Sequence, residues 1–137
     1  MSVGDDLTIA QSVAFAILHA QDHETSSDWI GWAKSWLNGD DRSASAAAAA
    51  AEIATAAAAR HAANAARMFD LAQALQTEAA MLSAEGRNAG WTLDTVENRN
   101  TECLVEVAEA IRLADGGGLQ GGSSRSAELL AQVVRDH

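Results

Sequence analysis

The chain has 137 residues, no proline or tyrosine, a single cysteine and a formal net charge of −10 at pH 7. This length fits one domain, and the abundance of alanine and other helix formers predicts an all-α fold. The excess of acids argues against nucleic acid or an anionic membrane as the main partner. A lone Cys103 excludes an intramolecular disulfide and fits a cytoplasmic protein.

The first predicted helix covers about residues 7–23. Asp5 or Asp6 is expected to cap it, because a carboxylate there accepts hydrogen bonds from the free N–H groups of the first turn. Apolar residues recur along it at helical spacing and predict its buried stripe, which consists of Ile9, Val13, Ile17 and Ala20. The apolar stretch 7–20 is too short to cross a bilayer.

A short second helix carries three of the four tryptophans. Ser26 or Ser27 is expected to begin it, and Gly39 to end it, because glycine readily takes the left-handed conformation at a helix end. The tryptophans are Trp29, Trp32 and Trp36. Their spacing places them on one face, which we expect to be buried against the alanine-rich segment that follows.

A segment without glycine or proline then runs from residue 43 to residue 85, and Asp41 or Ser43 is its expected N-cap. As one helix it would be about 63 Å long at ~1.5 Å per residue. A domain of this size has a radius of gyration of only ~14 Å. We therefore expect a break near residues 67–70, with Asp70 capping a new helix; the alternative is a projecting helix covered by a second copy of the chain.

Two polar residues interrupt the alanines of this segment. His61 and Asn64 lie beside a seam of apolar positions, and the surrounding alanines cannot satisfy a polar group. We expect both to face the interior or a subunit interface, because an unpaired buried polar group costs ~1–3 kcal/mol. A structural hydrogen bond and a ligand pocket both fit this arrangement. The candidate pocket consists of Trp29, Trp32, Trp36, His61 and Asn64.

The C-terminal half contains a predicted loop at 85–90, a helix at about 93–114, a Gly/Ser-rich linker at 115–126 and a short helix at 127–135. The buried stripe of the longer helix consists of Val96, Cys103, Val107, Ile111 and Ala114. The whole chain, 1–137, is therefore predicted to form a single all-α domain, a helical bundle or orthogonal array of five to six helices.

Two groups of residues have a spacing that could bind a metal. His19 and His23 are four residues apart, and Asp22 could join them. The segment supplies no further ligand, so we predict no tightly bound metal there. Cys103 lies on a buried stripe without a histidine near it in sequence, which indicates packing rather than chemistry.

Three carboxylates also share one helix face, namely Glu102, Glu106 and Glu109. They could hold magnesium, and "LVEVAEAIR" is similar to a helix of the all-α nucleotide pyrophosphohydrolases of the MazG type. That family continues with a second acidic pair, but here Ala131 stands where the pattern after Glu128 has Asp. A solvated helix face is the competing interpretation.

Residues 30–66, "IGWAKSWLNGDDRSASAAAAAAEIATAAAARHAANAA", resemble a bacterial and phage family of Imm-5-like immunity proteins. Members of that family place a Trp-Leu-x-Gly helix end before long alanine arrays, and residues 36–39 match this pattern. The resemblance covers about a quarter of the chain. It implies a toxin-neutralising role and supplies no catalytic residues.

The sequence therefore favours a non-enzymatic acidic interaction protein, an immunity or inhibitor protein that occludes a basic protein partner. The expected partner-binding residues are Glu102, Glu106 and Glu109. We expect no cofactor, a cytoplasmic location and a homodimer. The alternative is a small-ligand or metal-dependent protein, either of the MazG type or using His19, Asp22, His23 and His61.

Overall fold

The computed structural model describes residues 8–115, 131–133 and 135. This part of the chain contains five long helices and no strand, which confirms the all-α prediction. The helices are α1 (Ile9–Gln21), α2 (Ser27–Asn38), α3 (Ala44–Ile53), α4 (Ala57–Ala84) and α5 (Gly90–Asp115). Residues 131–133 and 135 are helical as well. Apart from these and Asp115, the predicted linker and C-terminal helix lie outside the described residues.

Four helix ends follow from cap chemistry close by in the sequence, namely the starts of α1, α2 and α3 and the end of α2. The Ser26 and Ser43 hydroxyls accept from backbone N–H groups three residues later and begin α2 and α3, as predicted. Gly39 ends α2 with φ at 81°, also as predicted. The prediction for α1 was wrong, because its N-cap is Thr8 rather than Asp5 or Asp6. Thr8 and Gln11 satisfy each other's backbone N–H groups, which is a capping box.

The long alanine-rich segment is broken at residues 54–56, between α3 and α4. The predicted break near residues 67–70 was therefore wrong, since α4 is continuous through them. Asp70 caps no new helix; its carboxylate instead accepts from Ala44 N at the start of α3, at 2.8 Å. The observed break has a tertiary cause, because a carboxylate from the α1–α2 connection binds the backbone at Thr55 and Ala56.

The core lies where α1, α2 and α3 surround the first half of α4, and the second half of α5 packs against α1 and α4. Trp29 and Trp36 are fully buried there, so they fill the space left by the alanines of α4. Trp32 is partly buried. The predicted stripe on α1 also faces this core, as does the α5 stripe from Cys103 onward, with Ile9 and Ile111 at the edge of the core.

The remaining halves of α4 and α5 extend beyond this core as a two-helix hairpin. Along α4 the core residues end at Phe69, and along α5 they begin at Cys103. Buried side chains between these points are small or β-branched: Ala72, Ala79, Ala89, Thr92 and Val96. No helix of the described part combines the length and apolarity needed to cross a membrane.

Candidate functional site

Glu24, just after α1, is the one buried acidic residue among those the structure describes. Its carboxylate accepts from the backbone N–H groups of Thr25, Ser26, Thr55 and Ala56, at 2.8–3.0 Å, and from the Thr55 hydroxyl. Burial alone would raise its pKa, but these hydrogen bonds outweigh it and lower the pKa from 4.5 to about 2. The ionised side chain thus joins the start of α2 to the start of α4 and has a structural role.

The tryptophans of α2 pack against α4 and against one another. Trp29 donates its indole N–H to Ala59 O on α4, at 3.2 Å. The rings of Trp29 and Trp32 meet edge to face, with centroids 5.5 Å apart, and Trp36 meets Phe69 of α4 in the same way. The predicted burial against the alanine-rich helix is therefore confirmed for Trp29 and Trp36.

The C-terminal end of α2 is covered by an arginine. The Arg42 guanidinium lies 4.2 Å from the ring centroid of Trp36, and its Nε donates to Trp36 O at 2.8 Å. The indole N–H groups of Trp32 and Trp36 are buried and have no hydrogen-bond partner among the described residues. Trp36 therefore contributes apolar packing and its ring face rather than its polar atom.

His61 and Asn64 do not join the tryptophans. His61 Nδ1 lies 2.5 Å from Glu106 Oε2 on α5, and both side chains are about one-third exposed. His61 follows Ala59 by two positions, so the two residues point about 160° apart on α4 at ~100° per residue. Trp29 bonds to the backbone carbonyl of Ala59, whereas the His61 side chain faces α5, where it pairs with Glu106. Asn64 is half-buried and makes no hydrogen bond to another described residue. The five residues of the candidate pocket do not converge.

The three predicted partner-binding acids each have a partner within the chain. Glu102 binds Arg99 at 2.8 Å, and Glu106 binds His61. Glu109 pairs with Arg112, whose hydrogen bond lowers the pKa of Glu109. Only Glu102 is exposed, whereas Glu106 and Glu109 are half-buried. Their charges are thus largely used in holding α5 to itself and to α4.

The possible metal ligands near the end of α1 also separate. His19 is buried, and its ring meets Phe15 edge to face at 4.7 Å. Since α1 ends at Gln21, Asp22 is its C-cap and His23 lies beyond the helix, exposed. The helical i, i+4 relation assumed from the sequence is therefore absent. Among the described residues no three His, Cys, Asp or Glu side chains are placed to hold a metal ion.

Cys103 is fully buried, and its thiol donates to Ala65 O of α4 at 3.3 Å. Burial, aided by the nearby Glu106 carboxylate, raises the pKa of the thiol to about 12. The thiolate is the reactive form of cysteine. Cys103 is therefore a packing residue, as its position on the buried stripe indicated.

Four large apolar side chains of α5 are exposed and were not predicted from the sequence, namely Trp91, Leu93, Leu104 and Val105. At ~100° per residue, Trp91 and Leu93 point about 160° apart, so the four side chains do not form one face. Leu93 and Leu104 lie at the edge of the predicted buried stripe, three positions before Val96 and Val107.

Comparison with known protein families, with curated proteins and with solved structures found no match to this chain.

Proposed function

We propose that this chain is a non-enzymatic binding protein that associates with a basic surface of another protein and covers it. The observation that carries the proposal is the distribution of charge. The net charge is −10, and among the described acidic residues only Glu24 is buried. An acidic surface attracts a basic partner at long range and suppresses acidic competitors.

Three of the described arginines are already paired with a nearby glutamate, whereas Arg60 and Arg67 are exposed without an acidic partner among the described residues. Arg87, Arg99 and Arg112 each pair with a glutamate two or three residues away. Several exposed acids have no such partner among the described residues, including Asp28, Glu52, Glu78, Asp94 and Glu97. These uncompensated carboxylates are the ones available to a basic protein.

An inhibitory role is the specific form of this proposal. The resemblance of residues 30–66 to Imm-5-like immunity proteins implies a toxin as the partner. A protein of this kind acts by occlusion, which requires a surface rather than a reaction centre. It would act in the cytoplasm, where a buried reduced Cys103 is stable.

Affinity capture tests the proposal. The chain is immobilised, exposed to a lysate of the cells that naturally express it, and eluted by increasing salt. A charge-reduced variant carries Asp28→Asn, Glu52→Gln and Glu78→Gln, three exposed positions that leave the described contacts intact. We expect the wild-type chain to retain basic proteins, which elute with salt, and the charge-reduced variant to retain fewer of them.

Two results would contradict the proposal. One is that the wild-type chain retains acidic and basic proteins equally, and the other is that the charge-reduced variant retains as much basic protein as the wild type. The competing enzymatic class has its own signature. Stoichiometric metal in protein purified without a tag, together with metal-dependent nucleotide hydrolysis, would replace the binding proposal with a pyrophosphohydrolase of the MazG type.

A further inference from the structure

One side of α4 carries a continuous stripe of residues that the other described helices leave largely uncovered. Its members follow one another in alternating steps of four and three residues, so they lie within an arc of about 100° on the helix at ~100° per residue. We call this surface the α4 stripe, and its members are Arg60, Asn64, Arg67, Leu71, Ala74, Glu78, Met81 and Glu85. Asn64 and Leu71 are half-buried, and all the others are exposed. The stripe is therefore a free surface about 38 Å long at ~1.5 Å per residue.

The charges of the α4 stripe are separated along the helix. Its N-terminal half carries Arg60 and Arg67, and neither forms an ion pair with another described residue. In its C-terminal half, Glu78 has no ion-pair partner among the described residues either, and Glu85 approaches Arg87 only to 3.9 Å. The stripe is thus basic at one end and acidic at the other, in a chain whose net charge is −10.

These charges are placed symmetrically about the midpoint of the stripe. Arg60 and Glu85 lie equally far from it along the sequence, and so do Arg67 and Glu78. If two copies of α4 pack antiparallel about a two-fold axis through this midpoint, each arginine of one copy lies opposite a glutamate of the other. A parallel pairing would instead set arginine against arginine and glutamate against glutamate. The stripe is therefore complementary to itself in the antiparallel arrangement.

We propose that the α4 stripe is the interface of a homodimer in which two α4 helices pack antiparallel. Near the two-fold axis, Leu71 of each copy meets Ala74 of the other, and the small alanine lets the two helices approach closely. Met81 is 61% exposed and would be covered by Asn64 of the second copy. Charge pairs then flank a central apolar contact, as they do in coiled coils. This proposal is independent of the proposed function, because most of the uncompensated acids lie on other helices.

The acidic half of the α4 stripe has room for the side chains of a second helix. A groove of about 350 Å³ lies there, and its lining includes Ala74, Thr77, Glu78, Met81 and Leu82. In the antiparallel dimer this groove receives the side chains of Asn64 and Arg67 from the second copy. The groove and the charge pattern thus fit the same occupant.

The charge pattern selects a second copy of the chain over a protein of a single charge sign. A basic partner would be repelled by Arg60 and Arg67, and an acidic partner by Glu78 and Glu85. The net charge of −10 on each copy opposes association at long range. At physiological salt, however, charges are screened beyond about 8 Å, whereas the charge pairs of the interface are in contact.

Reversing the charges of the inner pair, first singly and then together, tests the dimer. Arg67→Glu and Glu78→Arg each set like charges against one another at two symmetric contacts, and the double variant restores opposite charges at both. Exposed controls with the same changes of charge are Lys34→Glu on α2 and Glu97→Arg on α5. Sedimentation equilibrium of the full chain at about 150 mM sodium chloride measures the dimer Kd of each variant. Circular dichroism and thermal melting establish that each variant is folded.

We expect the wild-type chain to dimerise and each single reversal to raise the dimer Kd roughly tenfold or more, because it replaces attraction with repulsion at both contacts. The double variant should return to within about threefold of the wild-type Kd, and both controls should stay within the same range. If a single reversal prevents folding, Arg60→Glu and Glu85→Arg repeat the cycle at the outer pair.

Three results would overturn the proposal. The first is a wild-type chain that is still monomeric at about 1 mM. The second is a dimer whose Kd neither single reversal changes. The third is a folded double variant that remains as dissociated as the single ones, since a loss without rescue would mean that the two residues do not face each other. Capture of basic proteins from the lysate tests the proposed function separately.

Discussion

Replacing Glu24 with glutamine should destabilise the fold by about 3 kcal/mol or more at pH 7. The carboxylate accepts five hydrogen bonds, three at Oε2 and two at Oε1. An amide has one acceptor oxygen, so either orientation of the glutamine leaves two backbone N–H groups facing an NH₂ group. Each hydrogen bond to a charged acceptor contributes ~1.5–3 kcal/mol, and a buried donor left unpaired has a cost of similar size.

The lowered pKa of Glu24 expresses the same hydrogen bonds as a dependence of stability on pH. A pKa lowered from 4.5 to about 2 corresponds to about 3 kcal/mol of stability. Because the folded pKa is the lower one, this stability is fully present above pH 4.5. It is lost as the pH falls from 4.5 towards 2, where the carboxylate protonates in the folded state as well.

Urea unfolding of wild type, Glu24→Gln and the exposed control Glu52→Gln tests this, at pH 7 and at intervals down to pH 2. For a chain of this length, 3 kcal/mol corresponds to a fall in melting temperature of roughly 10 °C. The gap between wild type and Glu24→Gln should close as the pH approaches 2, with Glu52→Gln close to wild type at pH 7. A Glu24→Gln protein as stable as wild type at pH 7, or a gap independent of pH, would refute the assigned role.

Three further predictions concern the core and the α4–α5 contact. Trp29→Phe removes the bond to Ala59 O, whereas Trp36→Phe removes an indole N–H without a described partner, so Trp29→Phe should cost about 1 kcal/mol more in unfolding free energy; equal costs would contradict the assigned bond. A double-mutant cycle of His61→Ala and Glu106→Gln should give a coupling of about 0.5–1 kcal/mol for this partly exposed pair, and Asn64→Ala should be within about 0.5 kcal/mol of wild type. A coupling near zero would mean that the pair does not hold α4 to α5. Cys103 should not react with a thiol reagent at pH 8 until the protein unfolds in urea, because burial raises its pKa to about 12; rapid labelling of the native protein would show that the helix pair opens there.

The sequence predicts those parts of the fold that depend on neighbouring residues. Ser26, Gly39 and Ser43 act on backbone groups within a few positions, so their roles follow from local chemistry. Thr8 and Gln11 form a capping box, which is also a local pattern, although the nearby Asp5 and Asp6 fit an N-cap as well. The break at residues 54–56 has no such local marker, because its cause is Glu24, about 30 residues earlier. Tertiary hydrogen bonds of this kind override helix propensity.

In the candidate site, too, the features that depend on spacing along one helix are predicted, and those that depend on contacts between helices are not. Helical spacing correctly places Trp29 and Trp36 in the core and Cys103 on a buried face of α5. Spacing along one helix does not show which acid pairs with a residue of another helix. The pairing of Glu106 with His61 depends on the packing of α5 against α4, so the sequence does not predict it. The same packing leaves Asp94 and Glu97 uncompensated. Which acidic residues are left without a partner in the chain therefore depends on contacts between helices and not on the acidic pattern alone.

The proposal that this chain binds a basic protein through its acidic surface is tested by the salt dependence of that binding. The basic protein retained in the capture experiment is titrated with the full chain by calorimetry, from about 50 to about 300 mM sodium chloride, over which screening of surface charges increases strongly. We expect a Kd that rises roughly tenfold or more over this range, with a smaller rise for the Asp94→Asn, Glu97→Gln variant. A Kd that does not change with salt, or capture of no basic protein, would contradict it.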